Sequence, residues 1–206
     1  VLSGSDRFAN LVEWLSMVGC LAAITLIAKE LGAGPRGEVL AAVFVVTLPM
    51  GIMQASSTQT DYVIALWLSS MVFFMLRLIR ADAFRWPYLL AVAASLDVGV
   101  LTKATIYLYA FAFLGWMTLA LWRKHGVRVI LPLTVLAAIV LSVNSGHYAR
   151  NYSLHGNPLG PGKEPEENTK YSNDTFAPKA LASGVIRNIC THLNTPWPAA
   201  NRAIGG

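Results

Sequence analysis

Charge is what this sequence has least of. Only 13% of its 206 residues are Asp, Glu, Lys or Arg, against 55% hydrophobic, and the mean hydropathy is +0.51. A soluble domain carries about 25% charged residues. The shortfall excludes a disordered chain, an ordinary cytosolic enzyme and a basic nucleic-acid-binding domain. Cysteine is equally scarce: Cys20 in an apolar run and Cys190 far downstream make neither a disulfide framework nor a metal-ligand spacing. There is no internal repeat, no low-complexity tract and no opening signal-peptide pattern. The chain begins at Val1 instead of methionine and stops at Ala203-Ile204-Gly205-Gly206 with no closing element, so an internal fragment is expected.

Long apolar stretches are what the sequence does have, and the +5 net charge is spread in short runs between them. A helix needs about 20 apolar residues to cross a bilayer. The expectation is an all-α polytopic integral membrane protein with about six transmembrane helices, near Asn10–Leu31, Arg36–Met53, Asp61–Ile79, Trp86–Leu101, Ala104–Trp122 and Val127–Gly146. The fourth is short for a full crossing, about 24 Å at 1.5 Å per residue.

Basic residues give an orientation. Lys29, Arg36, Arg77, Arg80, Arg85, Arg123, Lys124 and Arg128 fall on one side, and only Arg7 and Lys103 on the other before the last span ends. The positive-inside rule puts the richer side in the cytoplasm. The expected location is thus the inner (plasma) membrane, crossed several times, with the bilayer itself as a partner. Trp86 and Trp122 at one boundary, and Tyr62, Tyr148 and Tyr152 at the other, suit interfacial belts.

Residues 1–146 form the expected transmembrane region, and residues 147–206 an extracytoplasmic tail. That tail is rich in Pro, Gly and Asn, holds a Glu-Pro-Glu-Glu run at Glu164–Glu167, and carries sequons at Asn151 and Asn173. Within it, Ala182, Val185, Ile186, Ile189 and Leu193 recur at helical spacing behind Pro178, which predicts one amphipathic helix over Pro178–Asn194.

Ionisable groups at membrane depth cost about 2.5–3.5 kcal/mol each, so each needs an explanation. Three regions on the outer side stand out. In Gln54–Asp61, Thr60 or Asp61 is either a helix N-cap or a carboxylate at a cavity mouth, able to act as a base, orient a nucleophile or bind a metal. In the second, Ala91, Ser95 and Gly99 form a small-residue packing seam, with Asp97 about 200° round the helix from Ser95. Asp97 and Lys103 either neutralise each other or leave Lys103 free for a phosphate or carboxylate. In the third, His147-Tyr148-Ala149-Arg150-Asn151-Tyr152, Arg150 either meets lipid headgroups or joins Lys103 in a two-point phosphate clamp. His147 and His155 read as ordinary polar-loop residues without zinc spacing.

At these three places the sequence resembles the GT-C superfamily of multi-spanning glycosyltransferases, in the branch of protein O-mannosyltransferases and lipid A aminoarabinose transferases. The matching pieces are Leu48-Pro49 followed by Gln54–Asp61, then Val100-Leu101-Thr102-Lys103, then Arg150-Asn151-Tyr152 with Gly156-Asn157-Pro158, in that order. The resemblance runs from about Asn10 to Pro158.

It implies transfer of a sugar from a polyprenyl-phosphate carrier to an acceptor, of unspecified kind, on the outer face of the membrane. Asp61 matches the second acidic position of the family and is the catalytic candidate. Lys103 matches the lysine on the carrier phosphate, and Arg150 a second phosphate contact. Asp97 departs from the pattern and joins them as a substrate-binding candidate on its residue type alone. The principal catalytic acid of the family lies in the first large outer loop, of which Ser3–Asn10, with Asp6, is at most the end, so this stretch alone is expected to be inactive. The resemblance allows a divalent metal in the full-length family, but no ligand set is visible here. Two other readings stay open: a secondary transporter using Asp61, Asp97 and Lys103 as a coupling pathway, and a non-catalytic membrane subunit of an envelope-assembly complex.

Overall fold

The computed structural model describes residues 10–160 and 177–193. Arg7, Asp6, Glu164–Glu167 and Asn173 lie outside the described residues. Every regular element within them is a helix: α1 (Leu11–Glu30), α2 (Pro35–Val46), α3 (Pro49–Ala55), α4 (Asp61–Arg80), α5 (Trp86–Thr102), α6 (Ile106–His125), a 3-10 turn (Gly126–Val129), α7 (Ile130–His155) and α8 (Pro178–Leu193).

Three stretches are long and apolar enough to cross a membrane: Leu11–Glu30, Asp61–Arg80 and Ile106–His155. The bent pair Pro35–Val46 and Pro49–Ala55 makes a fourth if counted as one span. The expected six are therefore not met, for three physical reasons. The second expected span is broken by a 68° bend, because Pro49 supplies no N–H and holds Leu48 extended, at φ −62 and ψ 116. The helix Trp86–Thr102 has 17 residues, about 26 Å, short of the ~30 Å hydrocarbon core. Finally, the last two expected spans fall in the single 50-residue stretch Ile106–His155, which turns back on itself at Gly126 (φ 58, ψ −140). Proof of that reversal is the 2.7 Å contact between the hydroxyls of Tyr107 in α6 and Tyr148 in α7.

The helix α7 also continues past Gly146 through His147–Tyr152 to His155. A lone mid-helix glycine is tolerated; the true stop is Gly156, left-handed at φ 66, followed by Pro158. In the tail, α8 begins at Pro178 as the spacing predicts, with Leu181, Val185, Ile186 and Ile189 exposed along one stripe.

The bundle is built around α4 and α5. The first of these packs on α1, α5 and α6, and the second on α4, α6 and α7. Met71, Met75 and Leu78 of α4, Leu89 and Val92 of α5, and Met117 and Leu121 of α6 are buried in one core. Among lipid tails there is little hydrophobic gain in burying Leu or Met, so close packing stabilises this core. The outer faces are apolar too: Phe111 is 80% exposed and Phe44 68%, as lipid-facing surfaces require. The small-residue seam works as expected, since a Cβ on Gly99 would touch Trp67 Cβ and collide with Ile106 Cδ1.

Charge collects at the two ends. At one end Arg77 donates to Glu30 at 2.8 Å and to the Tyr88 hydroxyl at 2.9 Å. There too the Lys124 ammonium donates to the carbonyls of Ile79 and Ala81, at 3.0 and 2.6 Å, and so closes the C-terminus of α4. The opposite end carries Asp61 and Lys103.

Candidate functional site

Lys103 sits at the corner between α5 and α6. Helix α5 ends at Thr102, Lys103 is fully extended (φ −163, ψ 132), and the Lys103 carbonyl accepts the Ile106 N–H that opens α6. This corner frees the lysine side chain to leave the helix axis. It reaches the first residue of α4: Lys103 Nζ donates to Asp61 Oδ1 at 2.7 Å. The two positions are far apart in sequence, and the packing of α4 on α5 brings them together. Both side chains are about two-fifths exposed, 41% and 39%. Where such a pair faces water it contributes about 0–1 kcal/mol, little enough for a competing anion to open it.

Asp61 is not the cap of its own helix, and neither is Thr60, which makes no side-chain cap bond. That task falls to Glu13, from α1. Its Oε2 accepts the Tyr62 N–H at 2.9 Å, and its side chain is 2% exposed. Asp61 also lines a pocket of about 160 Å³ with Leu48, Gly51, Gln54 and Tyr62. Gly51 is required there: a Cβ would approach the Tyr62 hydroxyl to 2.5 Å. Cys20 Sγ donates to the Tyr62 carbonyl at 3.6 Å, so Tyr62 is held at its N–H, its carbonyl and its ring.

Glu13 is the residue that reading the sequence missed. A signal was present, because an acid inside a 20-residue apolar helix is a functional candidate by default. Its position three residues from the helix start made it read as part of an ordinary span.

Asp97 does not pair with Lys103. It is 4% exposed and its Oδ1 accepts from Asn144 Nδ2 of α7 at 3.0 Å. The same amide donates to the Val140 carbonyl, while Asn144 Oδ1 is buried with no partner among the described residues. Asp97 thus faces α7, on the side of α5 away from the small-residue seam, as its angle from Ser95 predicts.

Arg150 is exposed on α7, two residues beyond Tyr148. Tyr148 meets Tyr107 near the start of α6, so Arg150 belongs to the same end of the bundle as Lys103. Two residues are about 200° of helix, however, which turns Arg150 away from Tyr107. Its side chain makes no hydrogen bond or ion pair among the described residues, and the Lys103–Arg150 clamp is not formed in this structure. Nearby, Asn151 Nδ2 contacts His147 Nε2 at 3.1 Å and donates to the Pro158 carbonyl at 3.2 Å, which ties the loop after α7 back to the helix.

Below Tyr107 and Tyr148 runs an apolar groove of about 490 Å³, lined by Leu96 and Val100 of α5, Phe111 and Leu114 of α6, and Leu133 and Val140 of α7. Among the described residues no group of three or more His, Cys, Asp or Glu converges to hold a metal.

The site therefore combines a paired carboxylate and ammonium at one end of an apolar bundle with an apolar groove between α5, α6 and α7 that reaches Tyr107 and Tyr148. Comparison with curated proteins gives no match, and comparison with solved structures gives none either. The family model described as dolichyl-phosphate-mannose-protein mannosyltransferase matches residues 1–148. The chain belongs to that family of membrane glycosyltransferases.

Proposed function

We propose that the protein transfers a sugar from a polyprenyl-phosphate carrier to an acceptor at the outer face of the membrane, by a GT-C-type mechanism. What supports this reading most is the 2.7 Å bridge between Lys103 and Asp61, with both side chains about two-fifths exposed at the end of the bundle.

The acceptor hydroxyl attacks the anomeric carbon of the donor. The bond from that carbon to the phosphate oxygen breaks, the hydroxyl proton passes to a base, and the carrier leaves as polyprenyl phosphate with one more negative charge than before. Lys103 is the cation for that developing charge. It exchanges a weak partner, Asp61, for a stronger one as the phosphate arrives. Asp61, released, orients the acceptor hydroxyl, beside the principal acid that the family resemblance assigns to an outer loop preceding these spans. The apolar groove along α6 and α7 has the chemistry to take the first prenyl units of the carrier. Arg150, exposed at the same end, is the second phosphate contact in this reading. Asp97 has no part in the transfer and serves to hold α5 to α7.

The test is transfer from a polyprenyl-phosphate sugar by the full-length protein in proteoliposomes. Asp61→Asn and Lys103→Ala each lower kcat by about 10²-fold or more, with membrane insertion unchanged. Full activity in both variants removes the site assignment, and a transmembrane flux of solute without sugar transfer points to the transporter reading.

A further inference from the structure

We infer that Glu13 is the positioning residue of the Asp61–Lys103 pair: from α1 it holds the first turn of α4 so that the Asp61 carboxylate meets the lysine. The inference rests on the transferase reading only for what the pair is for.

The first N–H groups of any helix lack partners inside it, and a local Ser, Thr, Asp or Asn ordinarily supplies one. Here Thr60 stands in the capping position and makes no cap bond. The N–H of Tyr62 goes instead to Glu13 Oε2, a residue from another helix, at 2.9 Å. A local cap stabilises a helix end wherever that end happens to lie. A cap supplied from α1 also fixes where the end lies relative to α1. Tyr62 is the residue next to Asp61, so any shift at its N–H carries the Asp61 carboxylate with it.

Stability alone gives little reason for this choice. Glu13 is 2% exposed, and its second oxygen, Oε1, is buried without a partner among the described residues. A buried carboxylate with one orphaned oxygen returns less stability than a well-packed apolar residue would.

The charge has a second consequence. A helix N-terminus attracts anions, and Glu13 already fills that position on α4. A phosphate arriving at this end finds the helix terminus occupied and must turn to a cationic side chain such as Lys103. Glu13 thereby directs the anion to the lysine as well as setting the lysine's resting partner.

The test reads the pair directly, without needing turnover. The full-length protein in lipid nanodiscs is treated with a water-soluble amine-acetylating reagent, and labelling of Lys103 is measured by mass spectrometry relative to exposed Lys29. Asp61→Asn, which removes the partner's charge, raises Lys103 labelling about fivefold, Glu13→Ala raises it about as much, and the double variant adds nothing further, because Glu13 acts through Asp61. Glu13→Gln keeps an acceptor for the Tyr62 N–H and stays within about twofold of wild type. Glu13→Asp, one methylene too short to reach, gives an intermediate rise and serves where Glu13→Ala does not assemble. Unchanged labelling in Glu13→Ala or Glu13→Asp, or additive effects in the double variant, overturns the inference. In parallel transfer assays Glu13→Ala lowers kcat about tenfold while the donor KM stays within about twofold. If the wild type transfers no sugar, the transferase reading fails, and the labelling result still decides the role of Glu13.

Discussion

The hydroxyls of Tyr107 and Tyr148 lie 2.7 Å apart, although 41 residues of almost continuous helix separate them. A straight helix of that length would hold them about 60 Å apart. The contact therefore fixes α6 and α7 as an antiparallel pair and defines the mouth of the apolar groove. Cysteines placed at 107 and 148 should be joined within one chain by a short bifunctional maleimide, and cysteines at 107 and 129 should not. The readout is a gel shift after a single proteolytic cut in the 126–129 turn.

Asp97 and Asn144 join α5 to α7 through a buried hydrogen bond, and in the proposed mechanism they stand apart from the Asp61–Lys103 pair. Asn144→Leu leaves a buried carboxylate without its donor and should destabilise the protein by about 1–3 kcal/mol. Replacing both residues by leucine should recover most of that loss. Thermal unfolding in detergent measures both changes. Sugar transfer in the double variant should remain near wild type, because neither residue faces the Asp61–Lys103 pair.

Gly51 is required by the ring of Tyr62. In Gly51→Ala the new methyl meets the tyrosine hydroxyl at 2.5 Å, and the ring, only 8% exposed, has little room to yield. Overpacking of this kind costs about 1–3 kcal/mol. The expected result is a lower melting temperature together with reduced transfer, since Tyr62 adjoins Asp61. Gly51→Ala combined with Tyr62→Phe should restore the melting temperature.

The orientation is tested by labelling. Ser57 lies just ahead of the N-terminus of α4 and Ala81 at its C-terminus, about 30 Å apart along a 20-residue helix. A cysteine at Ser57 should react with an impermeant thiol reagent added outside intact cells, and one at Ala81 only after the membrane is opened. The reverse pattern would refute an outward-facing Lys103.

Much of this was legible in the sequence, because lipid demands long apolar runs and punishes stray charge. The approximate bounds of α1 and α4 follow from the length of their apolar runs, the start of α8 from Pro178, and the opposite faces of Ser95 and Asp97 from the helical repeat. The break at Pro49 was equally visible as a proline, yet the apolar run across it read as one span. Hydropathy cannot register a 68° bend when the residues around it, Thr47 apart, stay apolar. The site divides in the same way. Asp61 and Lys103 were each conspicuous as charges beside apolar helices, while their contact depends on how α4 packs on α5 and leaves no trace in spacing. Glu13 was an equally visible charge in an apolar helix, but its partner is a backbone N–H, which every residue but proline possesses, so no pattern of side chains pointed to its role.

The two ends of α4 share a property. Glu13 from α1 holds its first turn, and Lys124 from α6 holds its last, each with the sign of charge that the helix dipole favours. An element pinned at both tips by different neighbours cannot slide along its own length. Where the surrounding bilayer thickens or thins, adaptation must come from leaning of the whole bundle or from the short helix α3, which packs only lightly on its neighbours. The depth at which Asp61 sits relative to α1 and α6 is thereby insulated from the membrane that carries it.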